Sequence, residues 1–141
     1  MRRLIPALLA GLVLSATACG GGDSSGPASI AGTYTLQTVN NAPLPFTTSE
    51  DATYKAEILS WVVTLNEDKS YSFVARGQST DNGQTTVNTI TSTGTYTVSG
   101  STVDMLDPVD NSNLTATVAG NTLTMVIDAS PVGVFTLRFT R

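Results

Sequence analysis

Only a few side chains in this 141-residue chain are of types that do chemistry. Cys19 is the sole thiol, and there is no histidine at all. A Ser-His-Asp triad, a His-paired thiolate and a histidine-based zinc site are therefore excluded, and no intramolecular disulfide can form. Carboxylates remain. Glu50-Asp51 and Glu67-Asp68 are adjacent pairs, but an acid and base for glycoside hydrolysis must face each other across a substrate, and both pairs fall where the chain reads as loop or turn. Asp104, Asp107, Asp110, Asn111 and Asn113 supply oxygens of the kind calcium takes, yet they lack the spacing and closing glutamate of an EF-hand loop. A solvated turn explains them. No glycine-rich loop runs from a strand into a helix, so no phosphate cradle is encoded. The expectation is a protein that is not an enzyme, with no catalytic residue, cofactor or metal.

The setting of Cys19 is more informative than its chemistry. Met1-Arg2-Arg3 is a short positive segment, Leu4 to Leu14 is apolar apart from Pro6, and Ala16-Thr17-Ala18 are the small residues of a signal-peptidase cleft. Such a run is too short to cross about 30 Å of hydrocarbon as a helix. Ala16-Thr17-Ala18-Cys19 resembles the bacterial lipobox, with Ala16 where that motif prefers leucine. The resemblance implies a lipoprotein signal peptide over residues 1–18, cleavage before Cys19, and acyl chains on its sulfur that hold the protein to a membrane. Gly20 is not the aspartate that retains many such proteins at the inner membrane, so the outer membrane of a bacterial envelope is the expected address. An ordinary secretory signal and a twin-arginine signal on Arg2-Arg3 are the other readings. Residues 19–29, rich in Gly and Ser, form a flexible tether after the lipidated cysteine. Loss of the leader leaves five basic against eleven acidic residues, a net charge of −6, which argues against a nucleic-acid partner.

Residues 30–141 are long enough for one domain with one core. Their apolar residues recur at every second position between turn signals, the pattern of an antiparallel all-β fold. Tyr34 and Leu36 alternate with Thr33, Thr35 and Gln37, and the same spacing of two recurs at Leu59, Trp61, Val63 and Leu65 and later at Leu123, Met125 and Ile127. Asp81-Asn82-Gly83, Gly100-Ser101 and Gly120-Asn121 mark tight hairpins. One connection is long, Asn40 to Thr53. About eight or nine strands with short connections predict a single up-and-down β-barrel, since closure removes exposed edges, with a β-sandwich as the alternative. The outward positions are mainly Thr and Ser, which suits a face in water rather than in lipid.

Gly32-Thr33-Tyr34 with Leu36, followed by Val39-Asn40-Asn41-Ala42-Pro43-Leu44-Pro45, resembles the opening of bacterial lipocalin-like lipoproteins. Leu65 to Phe73 and Gly94 to Val98 are similar to hairpins of that group, and Tyr34 stands where true lipocalins carry tryptophan. The resemblance implies a barrel with one open mouth, a lid made by the long connection, and an apolar interior that takes a small hydrophobic molecule. It also implies that a late arginine, Arg138 or Arg141, packs over Tyr34. Tyr34, Leu36, Leu44, Phe46, Trp61, Phe73 and Tyr96 are then the expected ligand-lining residues. With Tyr71, Met125, Phe135 and Phe139 also reading as inward, the interior could equally be filled by its own side chains. A filled barrel implies a non-catalytic structural or protein-interaction lipoprotein, an assembly factor or inhibitor, instead.

Overall fold

The computed structural model describes residues 29–109 and 111–141. The anticipated leader, Cys19 and all of the tether but Ser29 lie outside them, as does Asp110. Every regular element among the described residues is a strand: β1 (Gly32–Val39), β2 (Ala42–Pro43), β3 (Phe46–Glu50), β4 (Tyr54–Leu65), β5 (Ser70–Asp81), β6 (Gln84–Ser99), β7 (Thr102–Leu106), β8 (Asn113–Ala119), β9 (Thr122–Asp128) and β10 (Val134–Thr140).

From β4 to β10 each strand pairs antiparallel with the next. β1 then lies between the last strand and β4, pairing Leu36 with Phe139 on one edge and Gly32 to Thr35 with Leu65 to Val62 on the other. The result is a closed eight-stranded up-and-down barrel, an architecture compatible with a lipocalin-like fold. The remaining two strands, β2 and β3, occupy the long connection. Beyond Thr35 the seam between β1 and β4 opens, β2 folds back on β1 through Val39 and Ala42, and β3 pairs with the start of β4. The expected loop is thus largely strand, with Pro43 in a two-residue edge strand and Pro45 in the bend before β3, where a missing N–H is tolerated.

Alternation sets the inner face, and two bulges adjust it. Strict alternation after Leu36 would turn Thr38 inward. Gln37 is an extra residue against β10, so Val39 enters the core and is fully buried. In β4 the register shifts between Ile58 and Ser60, and Ile58 packs against the core. Leu59, expected on the inner face with Trp61, falls in that bulge and is not among the core-packed residues.

Tyr34, Leu36, Trp61, Tyr71, Phe73, Tyr96, Met125, Phe135 and Phe139 all lie in the core or against it. Each fully buried large apolar side chain contributes roughly 1.5–3 kcal/mol relative to exposure. No polar or charged residue is buried with them among the described residues.

Gly94 shows how tightly the wall closes. A Cβ added there would stand 2.0 Å from the Leu106 carbonyl oxygen and 2.8 Å from the Tyr71 ring, so both the sheet and the core would have to yield. Gly94→Ala is expected to destabilise by about 3 kcal/mol or more. Gly83→Ala, at a turn with φ +79° and open space around it, should cost only about 1–2 kcal/mol of backbone strain. Thermal unfolding of the two variants, compared with the parent protein, measures the difference.

Candidate functional site

The two ends of the barrel differ in kind. At one end lie the start of β1, the chain terminus and the turns after β4, β6 and β8. Here Tyr34 donates its hydroxyl to the Ile30 carbonyl at 2.8 Å, and Tyr96 donates to the Asn66 carbonyl at 2.6 Å. Both rings are fully enclosed, so their hydroxyls need these partners. Arg141 spreads over the Tyr34 ring at 5.4 Å and donates to the Ser29 and Ala31 carbonyls at 2.9 and 2.7 Å. Of the two arginines expected to cover Tyr34, Arg141 does so. Arg138 is exposed in β10, in register with Thr38 of β1.

Upward from this closed end the interior is occupied by the protein's own side chains. Fourteen buried side chains fill it among the described residues, Leu36 included. Tyr34 and Leu36 therefore sit inside packed protein, whereas Tyr96, although almost fully buried, also borders a recess at the closed end. Leu44, Phe46, Trp61 and Phe73 instead gather at the opposite end, where side chains are only partly buried. Phe46 meets Phe135 edge-on at 5.9 Å, while Trp61 contacts Phe73 at 5.3 Å and Phe139 at 6.0 Å.

Two recesses open at this end and share Trp61, Ala75 and Ile90 as a common wall. One, of about 440 Å³, continues past Phe73 to Leu114 and Ile127, with Tyr71, Ser92, Asp107 and Ser112 at its polar margin. The other, of about 300 Å³, runs under β3 along Tyr54, Ala56 and Ile58. Their floors are apolar and their sizes suit a small molecule. Across the polar margin the Ser92 hydroxyl donates to Asp107, whose other oxygen accepts the Val109 N–H at 2.8 Å. Tyr71 and Ser92 hydroxyls lie 3.3 Å apart. A larger recess of about 640 Å³ at the closed end is walled by Ser29, Ile30 and Ala31, where the N-terminal segment enters the domain, by Glu67 and Lys69, and by the expected lining residue Tyr96.

Trp61 carries the one anomaly. Its indole Nε1 is the only buried side-chain polar atom among the described residues with no hydrogen-bond partner. A buried donor left unpaired costs roughly 1–3 kcal/mol. Two expected lining residues, Trp61 and Phe73, are thus joined by Ile90, Leu114, Ile127, Ala75 and Ile58. The signal for these was present, since Leu114 and Ile127 continue the inner alternation of Ala116 and Met125.

Several carboxylates serve the backbone of turns. Asp51 accepts the Thr53 and Tyr54 N–H groups at 2.8 Å each, Asp68 accepts the Ser70 hydroxyl and N–H, and Asp128 does the same for Ser130. These bonds hold all three carboxyls below their usual range. Glu57 is lowered by its hydrogen bonds to Lys55, at 2.7 Å, and to Gln78. No group of three or more potential metal ligands occurs among the described residues, and Asp104 instead accepts the Thr115 hydroxyl at 2.7 Å.

No protein-family model matches the chain, and no curated protein or solved structure matches it.

Three measurements test this description. Burial pushes the Tyr34 hydroxyl up against the opposing Arg141, and burial followed by the nearby Asp68 pushes up Tyr96. Raised folded values mean that the stability from these phenols is full below about pH 10 and is lost as pH climbs through them. The lowered carboxylates contribute stability that is present above about pH 4 and lost as pH falls further. Urea midpoints against pH should form a plateau with a fall on each side, and Asp68→Asn should flatten the acid side. In the same assay Phe73→Ala should cost about 3 kcal/mol. Trp61→Phe, which deletes the unpaired donor along with some apolar area, should change stability by no more than about 1 kcal/mol.

Proposed function

We propose that the protein is a non-catalytic, lipid-anchored binding protein of the bacterial envelope, and that the open end of its barrel takes a small, mainly apolar molecule carrying one hydrogen-bond acceptor. The observation that carries this reading is an apolar recess of about 440 Å³ walled in part by Trp61, whose indole Nε1 is buried without a hydrogen-bond partner. A ligand body would cover Phe73, Ile90 and Ile127, and an acceptor on it would relieve the desolvation cost of the donor once the indole turns to meet it. The bound molecule would rest on top of the core, because the lower barrel is occupied by its own side chains. Attachment through Cys19 rests on the lipobox resemblance, and the outer membrane is the favoured site on the identity of Gly20. Because the chain enters the domain at the closed end, the tether would leave the open end facing away from the bilayer.

A second reading has its own support. The solid lower half suits a barrel that is only a scaffold for an envelope assembly factor or inhibitor. Ligand binding separates the two.

Trp61 is the only tryptophan, so its emission reports directly on the recess. Titration of the full chain in mild detergent with a fluorescent fatty-acid analogue should quench that emission saturably. Ile90→Glu, which puts a charge on the shared wall, should weaken the binding by roughly tenfold or more. Native mass spectrometry of protein taken from its own host should show a co-purifying small molecule. No saturable quenching and no adduct would leave the scaffold reading. Metabolic labelling with an alkyne fatty acid should mark the parent protein and not Cys19→Ser.

A further inference from the structure

β4, β5 and β6 are 12, 12 and 16 residues long, whereas the other barrel strands have five to eight. The excess projects beyond the barrel rim as a flap, and β6 forms one of its edges. β7 pairs with β6 only from Thr95 to Ser99, and the Asp107–Val109 loop lies beside Thr91 to Thr93. Gln84 to Ile90 have no neighbour on that side among the described residues.

The orientation of the free backbone groups follows from the hairpin. Asn82-Gly83 is a two-residue turn with both φ values positive, so the flanking Asp81 and Gln84 form a hydrogen-bonded pair. Alternation then directs Gln84, Thr86, Asn88 and Ile90 towards β5, and directs the N–H and C=O groups of Thr85, Val87 and Thr89 outwards. No hydrogen bond from these six groups to a described residue occurs.

Edges of this kind are normally blunted. The other flap edge is: β3 is preceded by Pro45, bulges at Thr48 and ends on Glu50. The β6 edge has none of these devices. Its register with β5 runs unbroken from Ser70 paired with Thr95 to Asp81 paired with Gln84, and no charged residue occurs between Asp81 and Asp104. Val87 is 49% exposed at the midpoint of the free stretch, and Ile90 is 63% exposed on the opposite face.

We infer that this edge is the interface for a second copy of the same chain, the two β6 strands pairing antiparallel about a two-fold axis at Val87. Thr85 then opposes the partner copy's Thr89, Val87 opposes its equivalent, and all six free backbone groups of each copy are satisfied. The charge pattern fits this occupant: an edge without charges lets two copies of an acidic chain meet with no like-charge contact. Each Val87 gains an apolar cross-strand neighbour where it now has water.

Sedimentation equilibrium of the full chain in mild detergent tests the pairing. A dimer is expected. Val87→Lys, which sets two like charges face to face, and Val87→Pro, which removes an N–H not used by the β5 ladder, should each raise the dimer dissociation constant by roughly a hundredfold. Far-UV circular dichroism should remain that of the parent protein. Val134→Lys, at an exposed valine of β10, should leave the dimer intact. A monomer at every concentration, a dimer that survives both Val87 variants, or cross-linking of the edge only to a different protein would overturn the inference. The ligand reading is unaffected by any of these outcomes.

Discussion

The whole architecture depends on β1 holding two partners at once. Without its ladder to β4 the remaining strands would form an open sheet with two long edges and no enclosed volume. With it, one face of every strand becomes interior, and alternation alone tells each side chain whether it belongs to the core or to water. The closure also explains why a chain with no disulfide among its described residues can rely on packing. Its first strand joins its last, and fourteen buried side chains stack inside the ring.

The same ring is unequal along its axis, and that inequality creates the site. At the closed end, where Ser29 enters the domain, neighbouring strands pair to their ends and the rings of Tyr34 and Tyr96 are enclosed. Towards the other end β1 diverges from β4, β7 stops at Leu106, and β4, β5 and β6 continue. The wall is therefore incomplete where Trp61, Phe73 and Ile90 sit, and their apolar surfaces line recesses instead of closing on one another. An unpaired indole donor is what remains when a packed layer ends without a polar partner within reach.

Period-two patterning made most of the barrel legible before any coordinates. The inner face of β9, the hairpins at Asn82-Gly83 and Gly120-Asn121, and nine aromatic or apolar core residues follow from it directly. Arg141 was legible too, since it continues the inward series of Leu137 and Phe139, whereas Arg138 alternates outward. The bulges at Gln37 and Leu59 were not, because an inserted residue leaves no mark on composition and reverses the alternation only after the fact. The connection from Asn40 to Thr53 read as a loop because prolines depress strand propensity, and it became β2 and β3 at edges where that depression does not matter. The division between filled and open ends was hidden for a different reason: it depends on where neighbouring strands stop relative to one another, which no single strand records. Thus Tyr34 and Leu36, inside the packed core, could not be separated from Trp61 and Phe73 by sequence pattern.

The clasp of Arg141 on Ser29 and Ala31 has a mechanical consequence. Tension applied at Ser29 and resisted at the rim pulls β1 along its own axis, so its contacts with β4 and β10 are loaded in shear, all at once, rather than peeled apart one by one. The guanidinium adds a latch at the point where the force enters, tying the first residues of the domain to its last. A chain drawn from that end yields only when both flanks of the strand slip together.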